Sequence, residues 1–137
     1  QFEVGEDDFD FDAIDTNSVC YTGTHDNDTT IGWFEGAGDD TRTREEVLES
    51  QAAVLELTGG TAQTVHTDMI RLAFGSRSVL AVAPMQDFLG LGSKARLNRP
   101  GTTRDNWRWR MAEGALDGAL ADRIRRMVED ASRTPEG

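Results

Sequence analysis

The sequence contains a single cysteine, Cys20, and only two histidines, His25 and His66, among 137 residues. One cysteine cannot form an internal disulfide, and it excludes a zinc site built from cysteine ligands. Two histidines also argue against a histidine-rich metal site. No stretch approaches the roughly 18 apolar residues that a membrane-spanning helix needs. We therefore expect neither a cysteine-based or histidine-rich metal site nor a membrane-spanning segment.

Positive charge is also scarce. There are 14 lysines and arginines against 25 acidic residues, which gives a formal net charge of −11, and Lys94 is the only lysine. Such a chain repels the phosphates of nucleic acids and of anionic membranes, so neither is an expected partner. It begins Gln1-Phe2-Glu3, with neither an initiator methionine nor the basic start of a signal peptide. We expect a cytoplasmic sequence cut from a longer one.

Two helices are predicted between residues 43 and 75. Thr43 and Glu46 have the spacing of a capping box, in which each side chain bonds the backbone amide of the other residue. Apolar residues then recur at helical spacing to Leu57, and Gly59-Gly60 ends the helix. A second helix is predicted from about residue 61 or 62 to Phe74. Its inward-facing residues are Val65, Met69, Leu72 and Ala73.

Two apolar stretches flank these helices and predict strands. Residues 18–22 form the first, a short buried strand. The second is the continuous run Val79–Ala83, which stops at Pro84 and is typical of a parallel strand covered on both faces. A strand, a helix pair and a strand make a βαβ unit, so we expect an α/β fold.

The remaining segments are predicted to be loops, a last helix and a tail. Residues 1–17 are expected to form an acidic loop after an earlier strand, and residues 35–42 a linker rich in glycine and aspartate. Residues 18–133 hold the predicted helices and strands, and residues 134–137 form the tail. Five apolar residues at helical spacing mark a closing amphipathic helix: Leu116, Leu120, Ile124, Met127 and Val128.

A dense polar loop follows the first strand. It contains His25, Asp26, Asn27, Asp28 and several threonines, and it is followed by apolar residues that return the chain to the core. Parallel α/β folds keep their functional sites where strands hand over to such loops. The alternative is a polar turn whose side chains only satisfy their own backbone.

The same loop allows a phosphatase hypothesis. Asp26, Asp28 and Thr30 have the spacing Asp-x-Asp-x-Thr, which resembles the nucleophile loop of haloacid-dehalogenase-type phosphatases. There the first aspartate attacks phosphorus, the second is the acid/base, and Mg²⁺ offsets the charge. Residues 22–25 are polar, however, whereas that family has an apolar strand directly before the loop.

Two tryptophans and His66 have less specific patterns. Trp107 and Trp109 alternate with Arg108 and Arg110, which predicts a strand-like segment with one tryptophan face. We expect that face to pack in the core; the alternative is a platform under a sugar. His66 falls between core positions of the second helix and is expected to be structural or exposed.

Two separated blocks resemble signatures of the 4-α-glucanotransferases (amylomaltase, or disproportionating enzyme). The first is YTGTHDNDTTIGW at residues 21–33. The second is PMQDFLGLG at residues 84–92, followed by NRPGT at 98–102 and NWRWR at 106–110. The blocks occur in the order of that family, and the resemblance covers the chain from about Val19 to the last helix.

The resemblance implies a TIM-type (β/α)₈ barrel several times longer than this chain. The strand before His25 is then the seventh and Val79–Ala83 the eighth. The implied reaction is a retaining transglycosylation of α-1,4-glucans such as maltooligosaccharides, starch and glycogen, with an aspartate nucleophile and a glutamate acid/base on earlier strands. By motif match, Asp26 is the third carboxylate, which stabilises the transition state. His25 and Asn98 are the implied substrate-binding residues, and neither a cofactor nor a metal is implied.

The blocks for the nucleophile and the acid/base are not found in these 137 residues. We therefore expect the chain to be the C-terminal βαβα portion of the barrel, inactive on its own. The alternative from another class is a stand-alone carbohydrate-binding or interaction module.

Overall fold

The computed structural model describes residues 10–37 and 40–134, which fold into an α/β structure. Two short strands, β1 and β2, pair in parallel with Val19 opposite Leu80, which confirms the predicted βαβ unit. In this part of the chain no helix is both long and apolar enough to cross a membrane. The elements are β1 (Val19–Tyr21), α1 (Thr30–Glu35), α2 (Arg44–Thr58), α3 (Val65–Gly75), β2 (Leu80–Val82), α4 (Met85–Phe88) and α5 (Gly118–Asp130).

The helix α1 directly after the polar loop was not predicted. Thr29 caps it by accepting a hydrogen bond from the Gly32 amide at 3.1 Å, and Gly36 ends it in the left-handed conformation with φ 63°. Trp33 and Phe34 are buried, as expected of residues that return the chain to the core. Six residues are less than two helical turns, so α1 is too short to show a period in the sequence.

The predicted capping box of α2 is confirmed. The Thr43 hydroxyl accepts from the Glu46 amide at 3.3 Å, and the Thr43 amide donates to Glu46 Oε2 at 2.6 Å. The hydrogen bonds that the Glu46 carboxylate accepts from the Thr43 amide and hydroxyl hold its pKa below the usual value. Gly59, with φ 64°, ends the helix as predicted.

The central helix is α3, which packs against α1, α2 and α4 and also contacts α5 and both strands. It begins at Val65 instead of residue 61 or 62, because the Thr61 amide bonds the Thr64 hydroxyl at 3.0 Å in a preceding turn. One side of α3 joins a buried cluster of Trp33, Phe34, Val54, Val65 and Met69. The other side joins a second cluster of Ile70, Phe74, Phe88, Leu120 and Met127.

The strands are covered on one face only, so the prediction of two buried faces is wrong for the described chain. Ala81 packs towards the second cluster. The flanking side chains point away from the helices and are exposed, because the helices described here cover the other face. The exposed side chains on this face are Val19, Tyr21, Leu80 and Val82.

The prediction for the last helix needs correction, and parts of the predicted loop, linker and tail fall outside the described residues. Leu116 is exposed and precedes α5, whose buried positions are Leu120 and Met127. In the predicted loop 1–17, residues 1–9 are not described, and residues 11–13 form a single 3₁₀ turn. Residues 38–39 of the linker and 135–137 of the tail are likewise not described, so the domain limits remain predictions.

Candidate functional site

The polar loop after β1 is a tight turn that leaves two side chains at its tip. Asn27 Oδ1 accepts from the amide and the hydroxyl of Thr24, at 2.7 and 2.9 Å, and closes the turn. His25 and Asp26 lie between them with about half of each side chain exposed. The alternative of a polar turn whose side chains satisfy its own backbone therefore describes Thr24 and Asn27. The side chains of His25 and Asp26 instead point outward.

The three predicted site residues lie together. Asp26 Oδ1 accepts a hydrogen bond from Asn98 Nδ2 at 2.6 Å, although the two residues are 72 positions apart. His25 Nε2 lies 3.3 Å from the same oxygen. One carboxylate oxygen thus accepts a hydrogen bond from a second loop and has the imidazole of its own loop beside it, and the bond from Asn98 fixes the direction of the Asp26 side chain.

Arg96 joins the two loops, and sequence analysis missed it. Its Nη2 donates to the Asp26 carbonyl oxygen at 2.9 Å, and its Nε donates to the Asn98 carbonyl oxygen at 2.9 Å. Its other terminal nitrogen lies 4.0 Å from Asp28 Oδ2. The available signal was a basic residue between the PMQDFLGLG and NRPGT segments of the second family block, in a chain that has few basic residues.

Asp28 has structural partners that differ from those of Asp26. Its Oδ1 accepts from the Thr29 amide at 2.7 Å, and its Oδ2 accepts from the Ser93 hydroxyl at 2.6 Å. The side chain is 9% exposed, against 49% for Asp26. The two carboxylates therefore bond different elements, unlike the paired acids that the phosphatase hypothesis requires.

Asp87 is a second residue whose role the sequence did not indicate. It is 1% exposed and accepts three hydrogen bonds: from the Thr22 hydroxyl at 2.9 Å, from the Thr30 amide at 2.8 Å and from the Thr30 hydroxyl at 2.9 Å. Thr22 and Thr30 are the two ends of the polar loop. Asp87 thus fixes the distance between the two ends of the loop from its buried position. An acidic residue directly before the apolar residues 88–91 was the one signal in the sequence.

A cavity of about 560 Å³ opens where β1 and β2 end. Its walls combine apolar side chains of the strand ends with polar side chains of both loops, which is the usual composition of a small-molecule site. Six of the lining residues are Tyr21, His25, Val82, Gln86, Arg96 and Leu97.

Trp107 lies next to His25 and is not part of the core. The centroids of the two rings are 5.1 Å apart, and Trp107 is 53% exposed. The segment around it has no strand conformation, so the prediction of a strand-like tryptophan face in the core is wrong. The chain is held there by loop hydrogen bonds, which a two-residue alternation in the sequence cannot reveal.

His66 lies outside this site. It is partly buried on α3 beside Gly90, where an added Cβ would lie 3.1 Å from His66 Nε2. Burial lowers the pKa of His66, and the nearby Arg123 lowers it further. This environment fits a structural residue. Among the described residues, no group of three or more His, Cys, Asp or Glu side chains is arranged to hold a metal ion.

The fold and the site define an α/β protein whose polar loops meet at the carboxyl ends of two parallel strands. A family model described as 4-alpha-glucanotransferase matches residues 1–116. The chain belongs to the 4-alpha-glucanotransferase family, which confirms the resemblance carried by its two sequence blocks.

Individual relatives match most of this chain. The 4-alpha-glucanotransferases of Synechocystis sp. and Thermus thermophilus are each 40% identical, over 87% and 84% of this chain and 22% of their own length. An amylomaltase from Streptococcus agalactiae, solved in complex with acarbose, is similar in structure with a TM-score of 0.75 and 26% identity. That similarity covers 88% of this chain and 23% of the amylomaltase. The chain thus spans about a fifth of the length of the relatives it matches.

Proposed function

We propose that this chain supplies part of the active site of a cytoplasmic 4-α-glucanotransferase. The enzyme transfers segments of α-1,4-glucans, such as maltooligosaccharides, starch and glycogen, to the 4-hydroxyl of an acceptor glucan or glucose. In this proposal β1 and β2 are the seventh and eighth strands of a (β/α)₈ barrel. The nucleophilic aspartate and the acid/base glutamate belong to earlier strands outside the 137 residues. Family membership supports the activity, and the parallel pairing of β1 with β2 supports the barrel.

One observation carries the proposal: an oriented, half-exposed carboxylate lies beside an open cavity. One oxygen of Asp26 accepts a hydrogen bond from Asn98 and lies 3.3 Å from His25 Nε2, and His25 also lines the cavity. Carboxylate, amide and imidazole groups are suitable hydrogen-bond partners for sugar hydroxyls. We assign Asp26 as the transition-state stabiliser, and His25 and Asn98 as residues that bind hydroxyls of the same sugar.

The chemical role of Asp26 follows from the charge that the reaction develops. Retaining transfer passes through states with oxocarbenium character, in which the sugar ring carries positive charge. A carboxylate fixed in advance stabilises that charge without having to reorganise during the reaction. Because the attraction grows as the charge develops, its loss affects kcat more than KM.

The test is Asp26→Asn in the full-length protein encoded by the reading frame that contains this chain. Asparagine preserves the size of the side chain and removes its charge. We expect kcat for maltotriose disproportionation to fall at least ~10²-fold, with KM changed much less. Melting curves should show a folded protein, since Asp26 is half exposed.

Asp28→Asn is the matched control. Asp28 bonds Thr29 and Ser93, so its substitution should act mainly on the melting temperature and lower kcat by a smaller factor. Near-normal kcat in Asp26→Asn would remove the central assignment. An equal loss in both variants, together with Mg²⁺-dependent release of phosphate from a phosphomonoester by the wild-type protein, would favour the phosphatase alternative.

A further inference from the structure

The backbone around Trp107 adopts a conformation that tryptophan rarely takes. Asp105 and Trp107 both have positive φ angles, 60° and 61°. A bulky residue in this region is a genuine outlier, and such strain persists only where the surrounding structure imposes it. Contacts with other parts of the protein must therefore hold residues 105–107 in this conformation.

Specific hydrogen bonds impose this conformation. The Trp107 amide donates to the Leu97 carbonyl oxygen at 2.7 Å. The neighbouring Asn106 accepts from the Arg99 amide at 2.9 Å and donates to the Thr102 carbonyl oxygen at 3.1 Å. Leu97 and His25 line the cavity, so these bonds hold the Trp107 backbone next to one lining residue while its indole contacts another.

The indole is held in this position without being buried. Trp107 is 53% exposed, whereas Trp33 is 7% exposed in the core. Its described ring contact is with His25 at 5.1 Å. A strained backbone that presents a large aromatic face to water beside a polar site is unfavourable for folding alone, and it is the arrangement expected of a binding surface.

The chemistry of the exposed indole fits a sugar ring. The face of an aromatic ring is negative and attracts the positive edges of C–H bonds. A pyranose ring presents such C–H groups on its faces and hydroxyls around its edge. A sugar on Trp107 could therefore stack on the indole while its hydroxyls face the polar loops.

We propose that Trp107 is a stacking surface for a pyranose ring of the glucan, next to the sugar bound by His25 and Asp26. This inference rests on the proposed function and adds a second sugar position to it. Trp107 contacts the substrate equally before and during the reaction, so it contributes to binding and not to the chemical step.

Trp107→Gly in the full-length protein is the most informative variant. Glycine removes the indole and adopts a φ of 61° without strain, so the melting temperature should not fall. We expect KM for maltotriose to rise about tenfold, with kcat within about twofold of the wild type. Trp107→Phe, which retains a smaller aromatic face, should recover part of the affinity. Leu116→Ala, at another exposed apolar residue, should leave KM unchanged.

A double-mutant cycle separates stacking from an indirect effect through His25. If Trp107 contacts the sugar, Trp107→Gly should also raise KM several-fold in a His25→Ala background. If Trp107 only positions His25, its effect should vanish in that background, and the inference is wrong. An unchanged KM in Trp107→Gly also overturns it. Failure of the proposed function is distinct, because it shows as normal kcat in Asp26→Asn whatever Trp107 does.

Discussion

Asp87 fixes the position of the polar loop, because its carboxylate bonds Thr22 and Thr30 at the two ends of that loop. Asp87→Asn replaces one acceptor oxygen by an amide that can only donate. The Thr22 and Thr30 hydroxyls must then accept from that amide, and the buried bonds become neutral, which typically lowers the contribution of each from about 1.5–3 to about 0.5–1.5 kcal/mol. We expect a lower melting temperature of the full-length protein and a loss of kcat, since Asp26 lies on the displaced loop.

Asp122→Asn is the control for this prediction. Asp122 is an exposed residue of α5 that pairs with Arg125, and surface pairs of this kind contribute little. Denaturant unfolding of both variants should show a clear loss only for Asp87→Asn. If the two variants are equally stable, Asp87 does not hold the loop as we describe.

The short helix after the loop, α1, contacts both the loop and the segment that contains Ser93. Gly32 on α1 faces the bond between Asp28 and Ser93 so closely that an added Cβ would lie 2.2 Å from the Ser93 hydroxyl and 2.6 Å from Asp28 Oδ1. The loop, α1 and the segment of Ser93 therefore meet at a point where only glycine fits.

Gly32→Ala tests this contact between elements. Alanine favours the helix by about 1 kcal/mol, but overpacking at a tight contact costs about 1–3 kcal/mol and should break the bond between Asp28 and Ser93. We expect a net loss of stability and of kcat. Gly75→Ala at the end of α3, where nothing lies within 4 Å, is the control and should be neutral or stabilising. A Gly32→Ala protein as stable and active as Gly75→Ala would contradict the packing described.

At the scale of the whole molecule, the described chain leaves one face of its sheet uncovered. Four apolar or aromatic side chains are exposed there: Val19, Tyr21, Leu80 and Val82. The short parallel pair also has edges available for further strands. Such faces and edges lead to association. The proposed barrel would cover the face with its other strands.

We therefore expect the isolated 137-residue chain to aggregate, to form oligomers or to resemble a molten globule, and to show no disproportionation of maltotriose. Size-exclusion chromatography, calorimetry and an assay free of carrier enzyme would measure this. A monomer that melts sharply would instead support an independent carbohydrate-binding or interaction module. Turnover by the pure chain would show that it holds a complete set of catalytic groups.

Local sequence determined the features that depend on neighbouring residues. The capping box of Thr43 and Glu46 and the stop at Gly59 could be predicted because their partners lie within a few positions. The parallel βαβ unit followed from two apolar stretches separated by helices. The family blocks also identified His25, Asp26 and Asn98 as site candidates. Their positions in the sequence did not show how close the three side chains lie in the folded protein.

Tertiary structure alone decided how these residues meet. Asn98 reaches Asp26 across 72 positions, and Asp87 reaches Thr22 and Thr30 across 65 and 57. No local period encodes such contacts, since they depend on where the folded elements bring distant loops together. The same reason explains Trp107, whose alternation with arginine indicated a core strand. Its place beside His25 depends on the hydrogen bond from its amide to the Leu97 carbonyl oxygen.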